Sequence, residues 1–390
     1  MERKKILIVS DCPSNPLTAG NRTCIRKNAD ILQKMGYDVY FLLVNNGSMT
    51  DEDISEMKFA WKEKLFLFST NKIQVFLQKL HSKLCIKLGI NYQSLDLYCP
   101  WFIPKFVKHL VSAKGIDTIM VNYIWMSKLL EKSSVKHKLI YTHDVFSYKL
   151  FKGEYSWFSY SPNKEAMALN RATDILAIQE NEAIYYKYLA PKTNVKTVFM
   201  PFKYIETPIV RNQVLLFFSG GNVYNLNGIK LFIKHIFPIL HKEFPNVKLY
   251  IGGSICKVLK QDCLDGSIKL LGGFHDPYDF YKLGDIAINP VFSGTGLKVK
   301  TFEAISYGKY VLAHTHSLEG VYDPSNIPVK ECVDAKDYIS CLRELFDGGI
   351  TMDVIKMHTK NYLESLDSYI ESSYKQTEVS QVNKYQLACL

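Results

Sequence analysis

The stretch that decides the fold is Asp285–Ala313, DIAINPVFSGTGLKVKTFEAISYGKYVLA. A short apolar run, Asp285–Asn289, ends in a glycine-bearing loop. A helical stretch expected over Leu297–Tyr307 follows, and then a second apolar run, Tyr310–Ala313. Continuous apolar runs of this kind are strands buried on both faces, as in a parallel sheet covered by helices. One β-α-β unit therefore lies open in the sequence.

Working outward, the same rhythm recurs. Towards the C-terminus, helices are expected near Ala335–Phe346 and Met352–Tyr374, with a frayed polar tail after them. Towards the N-terminus, strands are expected at Ile268–Leu271, Val247–Ile251 and Val214–Ser219, with a helix from about Leu226 to Lys242. Pro201–Gln213 is polar, holds two prolines and reads as a linker. Before it a second series runs through Lys5–Ser10, a helix over Gly20–Met35, then Tyr37–Val44, Asp117–Asn122, Lys138–Thr142, Asp174–Gln179 and Val195–Met200. The expected class is α/β, with two Rossmann-like doubly wound domains facing across a cleft. The expected division is 1–205, 206–355 and a C-terminal helix and tail at 356–390. In such sheets ligands sit outside the carboxyl ends of the strands, so candidate residues are sought there.

Ser293-Gly294-Thr295-Gly296 ends one strand, and Leu297, Lys298, Val299 and Lys300 open the next helix. Glycines and a helix N-terminus present N–H groups and a positive dipole, which suits a diphosphate. Lysines in a first helical turn oppose the macrodipole, and a bound anion gives them a reason to be there. Glu303, within this helix, can accept from two ribose hydroxyls or pair with Lys300 in solvent. Gly220-Gly221-Asn222 and Gly272-Gly273-Phe274-His275 also follow strands; Phe274 can stack near a base or simply pack. The first strand leads to DCPSNPLTAGN, without the GxGxxG of dinucleotide enzymes. There Gly20 either admits an anion to a helix start or eases a turn. After the strand LIYT come His143 and Asp144. His143 at a strand end can bond a substrate hydroxyl or move a proton near neutral pH, with Asp144 orienting it. The plainer alternative is a helix-capping aspartate beside a satisfied histidine.

These motifs together resemble the retaining glycosyltransferases of the two-Rossmann GT-B architecture, and more narrowly glycosyltransferase family 4, also called group 1. DCPSNPLTAGNR, HDVF, EAMALNRATDILAIQENEA, the segment from LLFFSGGNVYNLNG to KLYIGG, and GTGLKVKTFEAISYGKYVLAHTHSLEG carry the resemblance over most of the chain. It implies transfer of a sugar from a nucleotide diphosphate sugar, with retention and without a metal or other cofactor. The donor is expected on the C-terminal half, and a glycan or polyprenyl-diphosphate-linked acceptor on the N-terminal half. Glu303 is then the second acid of the E-x7-E motif and holds the ribose, while Gly296, Leu297, Lys298 and Val299 supply phosphate-facing backbone. His143 sits by the transferred sugar, and the last helix crosses back to brace the N-terminal domain. Two departures stand out: Thr295 occupies the position of the first motif acid, and the GGNVYNLNG run replaces the usual Arg and Lys. Lys298 or Lys300 is expected to neutralise the diphosphate instead. A nucleotide-sugar 2-epimerase of the same architecture, a catalytically dead partner subunit and a basic nucleic-acid binder are the alternatives.

Composition sharpens the partners. The 390 residues carry 48 Lys+Arg against 38 Asp+Glu, net +10. Between Met57 and Lys114 lie ten lysines and two acids, so +8 of that charge falls in one stretch interleaved with Trp, Phe and Leu. That pattern suits an anionic membrane surface, or else a solvated helical face over an ordinary core. No arginine-rich or zinc-finger segment points to nucleic acid. The nine cysteines are scattered without CxxC pairs. The N-terminal apolar run Ile6–Val9 is too short for a signal-peptide core, and no stretch has the length to span a bilayer. A cytoplasmic chain, peripheral on the inner membrane face and working in O-antigen or capsule synthesis, is the expectation.

Overall fold

A computed structural model describes residues 4–17, 20–88, 94–151, 159–259, 266–294 and 296–386. The chain forms two compact units. The first comprises 1–200, 295–297 and 370–390; the second comprises 201–294 and 298–369.

In the first unit seven parallel strands lie in the order β3-β2-β1-β4-β5-β6-β7. They are β1 (Lys5–Ser10), β2 (Asp38–Asn45), β3 (Leu65–Ser69), β4 (Thr118–Asn122), β5 (His137–Tyr141), β6 (Asp174–Ala177) and β7 (Asn194–Thr197). Between them run α1 (Gly20–Lys34), α2 (Asp51–Trp61), α3 (Lys72–Lys87), α4 (Ile103–Lys114), α5 (Lys128–Glu131), α6 (Phe146–Phe151), α7 (Pro162–Leu169) and α8 (Glu180–Leu189). Ile6, Leu7, Ile8 and Val9 are all buried, as a central strand covered on both faces requires. Thr50 and Asp53 form a reciprocal capping box that starts α2.

The second unit has six parallel strands in the order β10-β9-β8-β11-β12-β13. They are β8 (Val214–Phe218), β9 (Lys248–Gly252), β10 (Ile268–Gly272), β11 (Ile286–Asn289), β12 (Tyr310–Ala313) and β13 (Val329–Glu331). The helices are α9 (Val223–Leu231), α10 (Phe237–Glu243), α11 (Pro277–Tyr281), α12 (Val299–Ser306), α13 (Ala335–Phe346) and α14 (Met352–Gln386). Each sheet starts in the middle and winds out in both directions. That is the Rossmann order, and each has its switch point between the first strand and its other neighbour, β1/β4 and β8/β11. The doubly wound α/β expectation holds for both halves.

Several details differ from the sequence expectations. The helix expected from Leu226 starts at Val223, because Asn222 caps it by accepting from the Asn225 N–H. It then widens into a π turn over Phe232–Ile236 before α10. Pro238, near the start of α10, has no N–H to give the preceding turn, and the wider turn accommodates this. The strand expected over Val195–Met200 is shorter, and the edge strands β3 and β13 were not anticipated. The linker Pro201–Gln213 has no regular structure but is strapped to the second unit. Ile205 N–H donates to Ser306 O (2.7 Å), Thr207 Oγ1 to Tyr307 O (2.9 Å), and Arg211 N–H to the Asp285 carboxylate (2.6 Å). The final helix continues past Tyr374 to Gln386. Its start counts with the second unit and Ile370 onward with the first, where Tyr374 Oη donates to Asn28 Oδ1 at 2.6 Å.

Candidate functional site

At the switch point of the second sheet two loops come together. After β8, Gly221 N–H donates to Ser254 Oγ (3.3 Å), and the Asn222 side chain is consumed in capping α9. Gly253, at the end of β9, has φ +94°, and a Cβ there would stand 2.3 Å from Ser219 O. Only glycine lets this strand end lie so close behind the β8 loop.

After β11 the chain passes Gly294, where a Cβ would sit 3.6 Å from the Tyr224 ring. Thr295 lies outside the described residues. Lys298 takes the N-cap position of α12, with Val299 and Lys300 as the first two helical residues. Lysine has no acceptor with which to cap a helix, so the position favours an incoming anion over a side-chain cap. Asn225 locks the two loops together: its Oδ1 accepts from Lys300 Nζ at 2.6 Å and its Nδ2 donates to Gly220 O at 2.9 Å. Burial, aided by the neighbouring Lys298 charge, pulls the Lys300 ammonium down to about 8. Two lysines and a helix N-terminus thus lie close together, an arrangement whose positive potential suits an anion.

One turn further along α12, Glu303 is half-buried. The fully buried Tyr281 hydroxyl donates to its carboxylate, and Tyr281 is itself fixed by stacking on Tyr307 (4.6 Å, 16°). Phe274 is half-buried and packs edge-on against Phe280 (5.3 Å) and Phe218 (6.3 Å).

In the first unit, His143 follows β5 and is buried. Its Nε2 lies 3.0 Å from Asn122 Oδ1, and its ring stacks on Tyr123 (4.3 Å), which stacks on Trp125 (4.3 Å, 9°). Desolvation pushes the imidazole down to about 3. The imidazole is therefore held in its neutral form near pH 7, with one ring N–H and one ring acceptor to offer. Asp144 does not cap α6. Glu165 does that, taking the Phe146 and Ser147 N–H groups at 2.9 Å each. Asp144 is instead fixed through its carbonyl, which accepts from Tyr186 Oη (2.9 Å). Gly296, with φ +75°, belongs to this unit; a Cβ on it would stand 2.8 Å from His143 O and 2.9 Å from Asp144 Oδ1. Leu297 is half-buried and also counts with the first unit. Gly20 is the exposed first residue of α1.

Some residues of these sites were not singled out from the sequence. Asp11, immediately after β1, accepts from Trp125 Nε1 (2.9 Å), and burial raises its carboxyl to about 6. Its place one residue past a strand end was the available signal. Tyr123, Asn225 and Tyr281 carried none, because their roles come from tertiary contacts. Among the described residues no group of three or more His, Cys, Asp or Glu could hold a metal, and no helix is long and apolar enough to cross a membrane.

Residues 212–346 match the profile of the glycosyl transferases group 1. Over 352 residues the chain is 24% identical to an uncharacterized 44.6 kDa protein in the cps region of Klebsiella pneumoniae, covering 81% of this chain and 84% of that protein. Over 222 residues it is 25% identical to the capsular polysaccharide biosynthesis glycosyltransferase CapH of Staphylococcus aureus, covering 52% of this chain and 61% of that one. Among solved structures, Anabaena HepE in complex with UDP and glucose superposes with a TM-score of 0.66 at 14% identity, over 97% of this chain and all of that one. The two Rossmann-like units are of the GT-B kind, and the chain is a glycosyltransferase.

Proposed function

We propose that this glycosyltransferase takes a sugar from a nucleoside diphosphate donor held by the second unit and transfers it, with retention and without a metal, to a lipid-linked glycan. The product is a bacterial surface polysaccharide of the capsule or O-antigen kind. The observation that carries this reading is the convergence of Lys298, Lys300 and the start of α12 beside the Gly220–Asn222 loop at the sheet's switch point. A diphosphate is the ligand that such a site stabilises most, since amides and ammonium groups offset two negative charges without a cation. Glu303, oriented by Tyr281, accepts from the ribose hydroxyls. The relatives add support: HepE was solved with UDP and glucose, and CapH is described as a capsular polysaccharide enzyme. The basic stretch 57–114 of the first unit rests on an anionic membrane surface, which places the chain where a lipid-linked acceptor is found.

Lys300 supplies a test with a definite sign. Its ammonium is charged below about 8 and increasingly neutral above. A diphosphate favours the charged form, so donor binding above that pH takes up a proton. Donor affinity is expected to hold near pH 7 and to fall by up to about tenfold for each unit of pH above 8. Lys300→Gln weakens binding and flattens that dependence. Calorimetry between about pH 7 and 9 in two buffers of different ionisation heat reads both effects. An unaltered pH profile in Lys300→Gln would remove Lys300 from the site.

A further inference from the structure

Helix α3 is built inside out. At roughly 100° per residue, Ile73, Phe76, Leu77, Leu80 and Leu84, with Leu88 in the turn that continues the helix, fall within an arc of about 120°. All six are exposed, Ile73 by 69% and Phe76 by 65%. The opposite side, turned to the protein, carries Gln78, Ser82 and Cys85, all buried. The polar pair there is satisfied. Gln78 Nε2 donates to Cys99 O (3.1 Å), Gln78 Oε1 accepts from Trp101 N–H (2.9 Å), and Ser82 Oγ donates to Gln78 O (2.7 Å). An ordinary surface helix has the reverse arrangement. A contiguous apolar face of this size left in water marks a surface that meets something apolar.

The surroundings say what that is. Lys79 and Lys83 are exposed along one edge of the stripe, and Lys87 is exposed just inside that edge at the helix end. Beyond the other edge His81 stacks on Trp101 (5.3 Å, 22°), which is itself exposed. Between Glu63 and Asp117 the only acid is Asp96, which is fully buried against Arg171. An apolar stripe edged by lysines and a tryptophan, on a stretch of chain whose single acid, Asp96, is buried, matches the boundary between acyl chains and anionic headgroups.

We infer that α3 lies flat in the membrane interface, its Ile73–Leu88 stripe seated among acyl chains and Lys79, Lys83 and Lys87 on anionic headgroups. The inference rests on the membrane contact proposed above for residues 57–114. It assigns that contact to one helix face and gives it a lipid-inserting part, so that charge alone does not account for binding.

The test is cosedimentation of the full chain with vesicles of phosphatidylglycerol and phosphatidylcholine at about 3:7, and with phosphatidylcholine alone. Two triple variants are compared with the parent: Phe76→Gln/Leu80→Gln/Leu84→Gln and Lys79→Gln/Lys83→Gln/Lys87→Gln. The parent should bind the anionic vesicles, and each variant should lose about tenfold or more in affinity. Phe59→Gln, on the exposed side of α2, should lose nothing. All changes are at exposed positions, so melting temperature and far-UV circular dichroism should be unchanged and certify the fold. Anionic binding by the parent that both variants retain would overturn the α3 assignment and leave membrane contact standing. No binding by the parent would overturn both. A parent dimer in light scattering that the Phe76/Leu80/Leu84 variant converts to monomer, without vesicle binding, would make the stripe a protein interface and overturn the inference. Donor binding reports separately on the sugar-transfer reading, because none of these residues belongs to the second unit.

Discussion

Arg171→Ala is expected to destabilise the first unit by about 3–5 kcal/mol, the cost of stranding a buried charge. The Arg171 guanidinium grips both oxygens of Asp96, at 2.5 and 3.0 Å, and also donates to Ser127 Oγ at 3.1 Å. The side chains are only 5% and 0% exposed. Removing the cation leaves the Asp96 carboxylate in the interior without its bidentate partner, which costs far more than losing a surface pair. The damage should spread to the neighbouring chain, because Gln78 of α3 hangs on the carbonyls that follow Asp96. Urea denaturation followed by fluorescence should show an earlier transition, and the double change Arg171→Met/Asp96→Leu should recover much of the loss. A loss under about 1 kcal/mol for Arg171→Ala would mean that the pair is solvated in the working protein.

The second large effect concerns Glu303. Glu303→Ala is expected to lower kcat/KM by about a hundredfold, the worth of two hydrogen bonds to a charged acceptor at about 1.5 kcal/mol each. Tyr281 presents this carboxylate, so Tyr281→Phe should give a smaller loss of the same kind, in donor binding more than in stability. The ribose assignment has its own check. A 2′-deoxy nucleoside diphosphate should bind the parent more weakly than the ribo form, and the difference should shrink in Glu303→Ala. If the variant kept the full ribo preference, Glu303 would not be the residue that reads the sugar hydroxyls.

Much of this was legible in the sequence for a simple reason. Central parallel strands are buried on both faces, so runs such as ILIV at Ile6–Val9 and IAIN at Ile286–Asn289 announce themselves and leave their loops in view. Gly294, Gly296, Lys298, Lys300 and Glu303 sit in one such loop and the helix it opens, and local spacing was enough to find them. Edges were harder. β3, LFLFS, lies within a basic aromatic stretch whose charge dominates its pattern, and β13 has only three residues. The inside-out character of α3 was hidden too. Leucines and phenylalanines at helical spacing look the same facing a core or facing away. The contacts of Gln78 with the Leu97–Trp101 segment decide which, and those contacts are tertiary. Likewise nothing local shows that Glu165, not Asp144, caps α6, or that Tyr281 holds Glu303. The neutrality of His143 follows from burial beneath Tyr123 and beside Asn122, both brought there by the sheet.

The proposed function depends on the second unit holding a nucleoside diphosphate through the start of α12, Lys300 and the β8 loop. Titration calorimetry of the full chain with UDP, GDP, ADP and dTDP tests it most directly. At least one is expected to bind without added metal, the matching monophosphate at least about tenfold more weakly, and Lys300→Gln should erase most of that difference. A chain that binds none of the four with or without a divalent cation, or one whose diphosphate preference survives in Lys300→Gln, would contradict it.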